Sequence, residues 1–177
     1  MQRVSTTVIA LVGEDAGECA ALLGAAANVR AVTPDDADPP LDRAVHAWRE
    51  AVKAHIPFLV HDADPLAAVA DAWVRWYDQQ GVAGDLEVAV SDALARWRAR
   101  ALELPDYYLV LDAESLPPTQ RHWYLGFLHR SAPHRVVPAA AQADDIARRV
   151  ASLRAGRWWP DLDRLLDGLD RVVPDRL

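Results

Sequence analysis

Thr7-Val8-Ile9-Ala10-Leu11-Val12-Gly13 is an unbroken apolar run closed by a glycine. Alternation of apolar and polar residues marks a strand with one wet face, whereas a continuous run marks one covered on both faces. Tyr107-Tyr108-Leu109-Val110-Leu111 repeats the continuous pattern and ends at Asp112-Ala113-Glu114. Shorter strands are predicted at Val29 to Val32, at Pro57-Phe58-Leu59-Val60 and at Arg135-Val136-Val137, the last stopped by Pro138.

Helices are predicted between these runs. Glu18 to Ala27 is rich in alanine and leucine. Leu41, Ala44, Val45, Trp48 and Val52 recur at the spacing of one helix face. Asp64-Pro65 reads as a cap and first position for a helix carrying Leu66, Val69, Ala70, Trp73, Val74 and Tyr77. Gly81 and Gly84 break it, and Asp85 is expected to cap another with Leu86, Val90, Ala93, Leu94 and Trp97. Thr119 to Arg130, the surroundings of Ile146 and Val150, and Leu162 to Val172 complete the set. Strands alternating with helices call for parallel pairing with crossovers over the sheet. The expected fold is α/β, with residues 1–177 as one domain. It is a mainly parallel, doubly wound sheet of about five strands, helices on both faces, and an extra helical hairpin between the third and fourth strands.

Composition bounds the function. Of 177 residues, 51% are hydrophobic and 25% charged, which suits a packed core and argues against disorder. The formal charge of −7 disfavours broad attraction to nucleic acid or to anionic lipid. The first apolar run is too short for a membrane span, and the cytoplasm is the expected compartment. Cys19 is the only cysteine, so neither an internal disulfide nor a thiolate metal cluster can form within the chain. Self-association is left open.

Chemistry is expected where the strands end. In open parallel sheets, ligands bind beyond the carboxyl ends of the strands, near the point where strand order reverses. Three predicted strands end in acids, and Glu14, Asp62, Asp64 and Asp112 form a candidate metal set. Converging carboxylates repel one another unless a cation intervenes, and Mg²⁺ is the oxygen-seeking partner that could also hold a phosphate. Gly13, Asp15 and Gly17 are the candidate ligand contacts in the turn after the first strand. Asp64 and Asp15 also have simpler roles as helix caps.

The segment Val12-Gly13-Glu14-Asp15-Ala16-Gly17-Glu18-Cys19 resembles the phosphate loop of P-loop nucleotidases, and Leu109-Val110-Leu111-Asp112 resembles their magnesium-linked strand. The glycines are one residue too close. Glu18 stands at the lysine position, and Cys19 at that of the metal-binding hydroxyl. Ordinary ATP or GTP hydrolysis is therefore not expected. Glu14 with Asp62 and Asp64 is similar to the acidic set in the metal-binding domain of topoisomerases and primases, with Gly13 before the glutamate rather than after it. Each likeness covers only a few short segments. Neither the histidines nor the serines fall into a zinc or nucleophile pattern.

Arg121-His122-Trp123-Tyr124 and Gly156-Arg157-Trp158-Trp159-Pro160 mix arginine with large aromatics outside any clean helical stripe. Such residues are enriched where proteins dock. Arg121, Trp123, Tyr124, Arg157, Trp158 and Trp159 are thus the candidate partner contacts, although Trp158 and Trp159 could equally pin the last helix. Two functions follow. The preferred one is a non-catalytic binding or assembly component on a Rossmann-like or degenerate P-loop-like scaffold, docking a protein partner through these segments. The other is a Mg²⁺-dependent enzyme or binder acting on a phosphate-containing ligand at the acidic edge.

Overall fold

Five parallel strands lie in the order β2-β3-β1-β4-β5 in this computed structural model, which describes residues 6–153 and 159–174. They are β1 (Thr7–Val12), β2 (Val29–Val32), β3 (Phe58–His61), β4 (Tyr107–Leu111) and β5 (Val136–Ala139). β1 is central, with Ile9 opposite Val60 on one side and Leu11 opposite Leu109 on the other. Its alternate residues feed two different cores, which is why Val8 to Val12 carries no polar position. Ile9 and Leu11 pack with Cys19, Leu23, Ile146 and Val150. Ala10 and Val12 pack with Trp73, Tyr108 and Trp123 on the other face.

The helices are α1 (Ala16–Leu23), α2 (Pro40–Lys53), α3 (Ala67–Tyr77), α4 (Ala83–Arg98), α5 (Pro118–Arg121), α6 (His129–Ser131), α7 (Ala143–Ser152) and α8 (Leu162–Leu166). Between α5 and α6 the helix widens into a π segment, His122–Leu128. α1 and α7 cover one face of the sheet; α2, α3, α4, the π segment and α8 cover the other. The connection from β1 to β2 runs toward one edge over the first face. Those from β2 to β3, β3 to β4 and β4 to β5 run the opposite way over the second. All crossovers therefore share one hand, as twisted strands require. The α3–α4 hairpin occupies the predicted place between the third and fourth strands. Among the described residues, no helix is long and apolar enough to cross a membrane.

Local details depart from expectation for physical reasons. Pro138 does not stop the last strand but lies within it, opposite Val110. β5 is an edge strand, so the missing N–H is needed by no neighbour. Gly84 lies inside α4 rather than breaking the chain, and α4 begins before Asp85. The last predicted helix divides at Gly168, whose φ of +70° separates α8 from a 3₁₀ turn, Leu169–Arg171.

Candidate functional site

The helix after β1 leaves on the opposite face from those after β3 and β4, so strand order reverses at β1 and a crevice opens at its carboxyl end. Gly13 makes the turn into α1 with φ +135°, and a Cβ there would lie 2.9 Å from the Leu111 carbonyl oxygen. No other residue fits both the backbone angle and the closeness of β4. A Cβ on Gly17 would sit 3.0 Å from Asp62 Oδ2. The Asp62 carboxylate thus lies against the first turn of α1, whose partial positive charge favours an anion.

Asp62 has a second counter-charge. Arg43, from α2, places its guanidinium 2.9 Å from Asp62 Oδ2 and 2.8 Å from Asp36 Oδ1. The Arg43 and Asp62 side chains are 18% and 12% exposed, whereas that of Asp36 is 90% exposed. Asp62 Oδ1 and Arg43 Nε are both buried without a hydrogen-bond partner among the described residues. One bare acceptor and one bare donor therefore belong to a single ion pair. The two residues line a cavity of about 190 Å³ together with Gly13, Ala16, Asp64 and Tyr124.

Asp64 turns inward instead. Its Oδ1 accepts from the Leu66 amide at 2.8 Å and from the Tyr108 hydroxyl at 2.8 Å, and its Oδ2 accepts from the Tyr124 hydroxyl at 2.8 Å. Burial pushes the Asp64 pKa up while these three bonds oppose it. Burial and the neighbouring carboxylate hold both tyrosines well above their usual range, so they remain donors. Asp64 does not cap α3 as a conventional N-cap, because α3 starts at Ala67 with Leu66 at the cap position.

The four predicted metal carboxylates do not converge as a set: Asp62 and Asp64 line the same cavity, but Glu14 and Asp112 are not among its lining residues. Asp62 is turned onto Arg43, Asp64 is saturated by donors, and Glu14 is exposed. Asp112 adopts a left-handed backbone with φ 39°, and its Oδ1 accepts from the Ala141 amide at 3.0 Å, tying β4 to the loop after β5. Among the described residues, no group of three or more His, Cys, Asp or Glu side chains is placed to hold a metal. Asp15 is exposed at the start of α1 and makes no side-chain cap. Cys19 is buried, and desolvation and nearby acids push its thiol pKa up, so it is not an activated nucleophile.

The aromatic candidates also change place. Trp123, Tyr124 and Trp159 are buried in the core around Trp73, so they present no docking surface. Trp159 donates from Nε1 to the Pro105 carbonyl at 2.7 Å and meets Tyr108 edge-on, with ring centroids 5.6 Å apart. That is the pinning role. Arg121 is partly exposed and paired with Glu114 at 2.9 Å. Arg157 and Trp158 lie outside the described residues. Arg43, Tyr108 and Tyr124 are the site residues that pattern reading did not single out for this crevice. Arg43 falls just off the apolar stripe of its helix and carries no motif of its own. Comparison with protein-family models, curated proteins and solved structures finds no match.

Proposed function

We propose that this protein is a binder of a small phosphate-containing ligand, taken up with Mg²⁺ in the crevice between the carboxyl ends of β1 and β3. One observation carries the reading: the Arg43–Asp62 ion pair, in which each partner keeps one polar atom without a hydrogen bond among the described residues, lines the cavity at the carboxyl end of β1. A ligand that engages both side chains from the cavity must bring a cationic or donor group for the carboxylate and an acceptor for the guanidinium. A magnesium–phosphate unit brings both. Mg²⁺ is usually held by one or two carboxylates plus phosphate oxygens and water, so a three-carboxylate cage is not required. Asp62 would take the cation and Arg43 the phosphate, with Gly13 leaving room above the turn. When bound, the metal would offset the repulsion between phosphate and Asp62. Asp36, almost fully exposed, is the arm whose hold on Arg43 a phosphate would replace. The assembly reading retains only Arg121 among its described contacts.

Isothermal titration with MgCl₂ alone, MgCl₂ with inorganic phosphate, and MgCl₂ with ATP tests this directly. Binding is expected only when metal and phosphate are present together, and Asp62→Asn should weaken it by about tenfold or more, roughly 1.4 kcal/mol. Asp112→Asn, away from the ion pair, should leave it unchanged. No heat in any titration, or equal loss in both variants, would remove the proposal.

A further inference from the structure

Two surface depressions lie away from the crevice, along the groove between α4 and the segment from α8 to the 3₁₀ turn. Their volumes are about 460 and 340 Å³, and they share Val90, Leu166 and Gly168, so they form one continuous channel. Its floor is apolar: Trp76, Leu86, Val90, Leu94, Leu166 and Leu169. α4 is lightly packed for its length, because Leu86 and Ala93 are buried while Ala89, Val90, Leu94 and Trp97 are only partly covered. The rim is acidic. Glu87, Asp167 and Asp170 have no ion-pair partner among the described residues, and Asp163 is already paired with Arg98. Arg164 is the one basic residue among the described residues of the lining. Among the described residues, three unpaired carboxylates against one unpaired guanidinium leave the channel net negative around an apolar floor.

We infer that this channel docks a basic amphipathic helix of a partner protein, its apolar face on Val90, Leu94 and Leu166 and its cations on Glu87, Asp167 and Asp170. Charge complementarity selects the occupant. A second copy of this acidic chain would bring like charge to a negative rim, and an uncharged apolar segment would leave the three carboxylates unused. The length agrees: from Leu86 to Leu94 the floor runs about 12 Å along α4 at 1.5 Å per residue, enough for two turns of a docked helix. The site is independent of the crevice.

The test uses fluorescence anisotropy with two labelled helical peptides carrying leucine at i, i+3, i+4 and i+7. Lysine fills the other face of one peptide and glutamate that of the other. The full-length protein should bind the lysine peptide about tenfold or more tightly than the glutamate peptide, and added salt should narrow the gap. Val90→Glu should abolish binding. Because a floor substitution can unfold the hairpin, the rim variant Asp167→Lys/Asp170→Lys is the second reading. It should melt like the parent and reverse the preference between peptides. Equal binding of both peptides, binding of neither, or a preference untouched by the rim variant overturns the inference. So does a concentration-dependent dimer that Val90→Glu dissolves, because the occupant would then be a second copy.

Discussion

His61 shows how a single side chain can tie the stability of the fold to pH. It ends β3, is buried, and its pKa is pushed from 6.5 down to about 4, first by desolvation and then by the Arg43 charge. The native state therefore holds fewer protons on this group than the unfolded chain does. Its contribution is complete above about pH 6.5 and is lost as pH falls toward about 4. At 1.36 kcal/mol per pH unit, that loss is about 3 kcal/mol, a large part of an ordinary domain's stability. Asp64 works in the opposite sense, because its raised pKa makes protonation easier in the folded state. Urea denaturation across this range should show a decline in the parent that is smaller by about 3 kcal/mol in His61→Gln. Parallel curves for the two proteins would mean that His61 does not stay neutral on folding.

The π segment is the element through which the second face of the sheet reaches the crevice. Its wider turn brings Trp123, Tyr124, Phe127 and Leu128 inward, and Tyr124 meets Asp64 across 60 residues of sequence. The widening has a local requirement. A Cβ on Gly126 would lie 2.5 to 2.7 Å from three atoms of the His122 ring, which is itself buried and stacked on Trp73 at 6.1 Å. In an ordinary helix, replacing glycine with alanine gains about 1 kcal/mol. Here the overlap costs about 1–3 kcal/mol, because the imidazole must shift although it is buried against Trp73. Gly126→Ala is therefore expected to destabilise by about 1 kcal/mol net, and adding His122→Ala should return part of the loss. A more stable Gly126→Ala protein in urea would show that the ring moves freely. The contrast with the strands explains what sequence reading could reach. β1 and β4 declared themselves because a strand covered on both faces must be apolar at every position. The acids at the ends of β1, β3 and β4 were equally visible. Which way each turned was not, because Arg43, Tyr108, Tyr124 and Ala141 come from distant elements. Pro138 misled for a related reason, since only the strand order shows that β5 is an edge.

Taken as a whole, the molecule has an uneven distribution of core. The sheet's first face is sealed by two helices, but the second depends on a C-terminal segment that returns across α3 and α4. Trp73 donates from Nε1 to the Leu169 carbonyl at 3.2 Å, and Trp159 covers Tyr108, the same tyrosine that holds Asp64. Leu162, Leu165, Leu166 and Leu169 are buried alongside Trp159. Burying large apolar side chains contributes about 1.5–3 kcal/mol each, so these five side chains supply about 8–15 kcal/mol. That figure is an upper estimate, because a real denatured chain is already partly collapsed. It still matches the entire net stability of a typical domain, about 5–15 kcal/mol. A chain ending at residue 153 should then retain helical far-UV dichroism but lose the near-UV signal of its packed tryptophans and bind a hydrophobic dye. It should also lose the crevice, because Tyr108 would be uncovered and Asp64 opened to water. A truncated chain that melts in one sharp transition with its near-UV spectrum intact would show that the five-stranded body stands without its C-terminal cover. The segment after α7 would then be an appendage to the fold rather than part of its core.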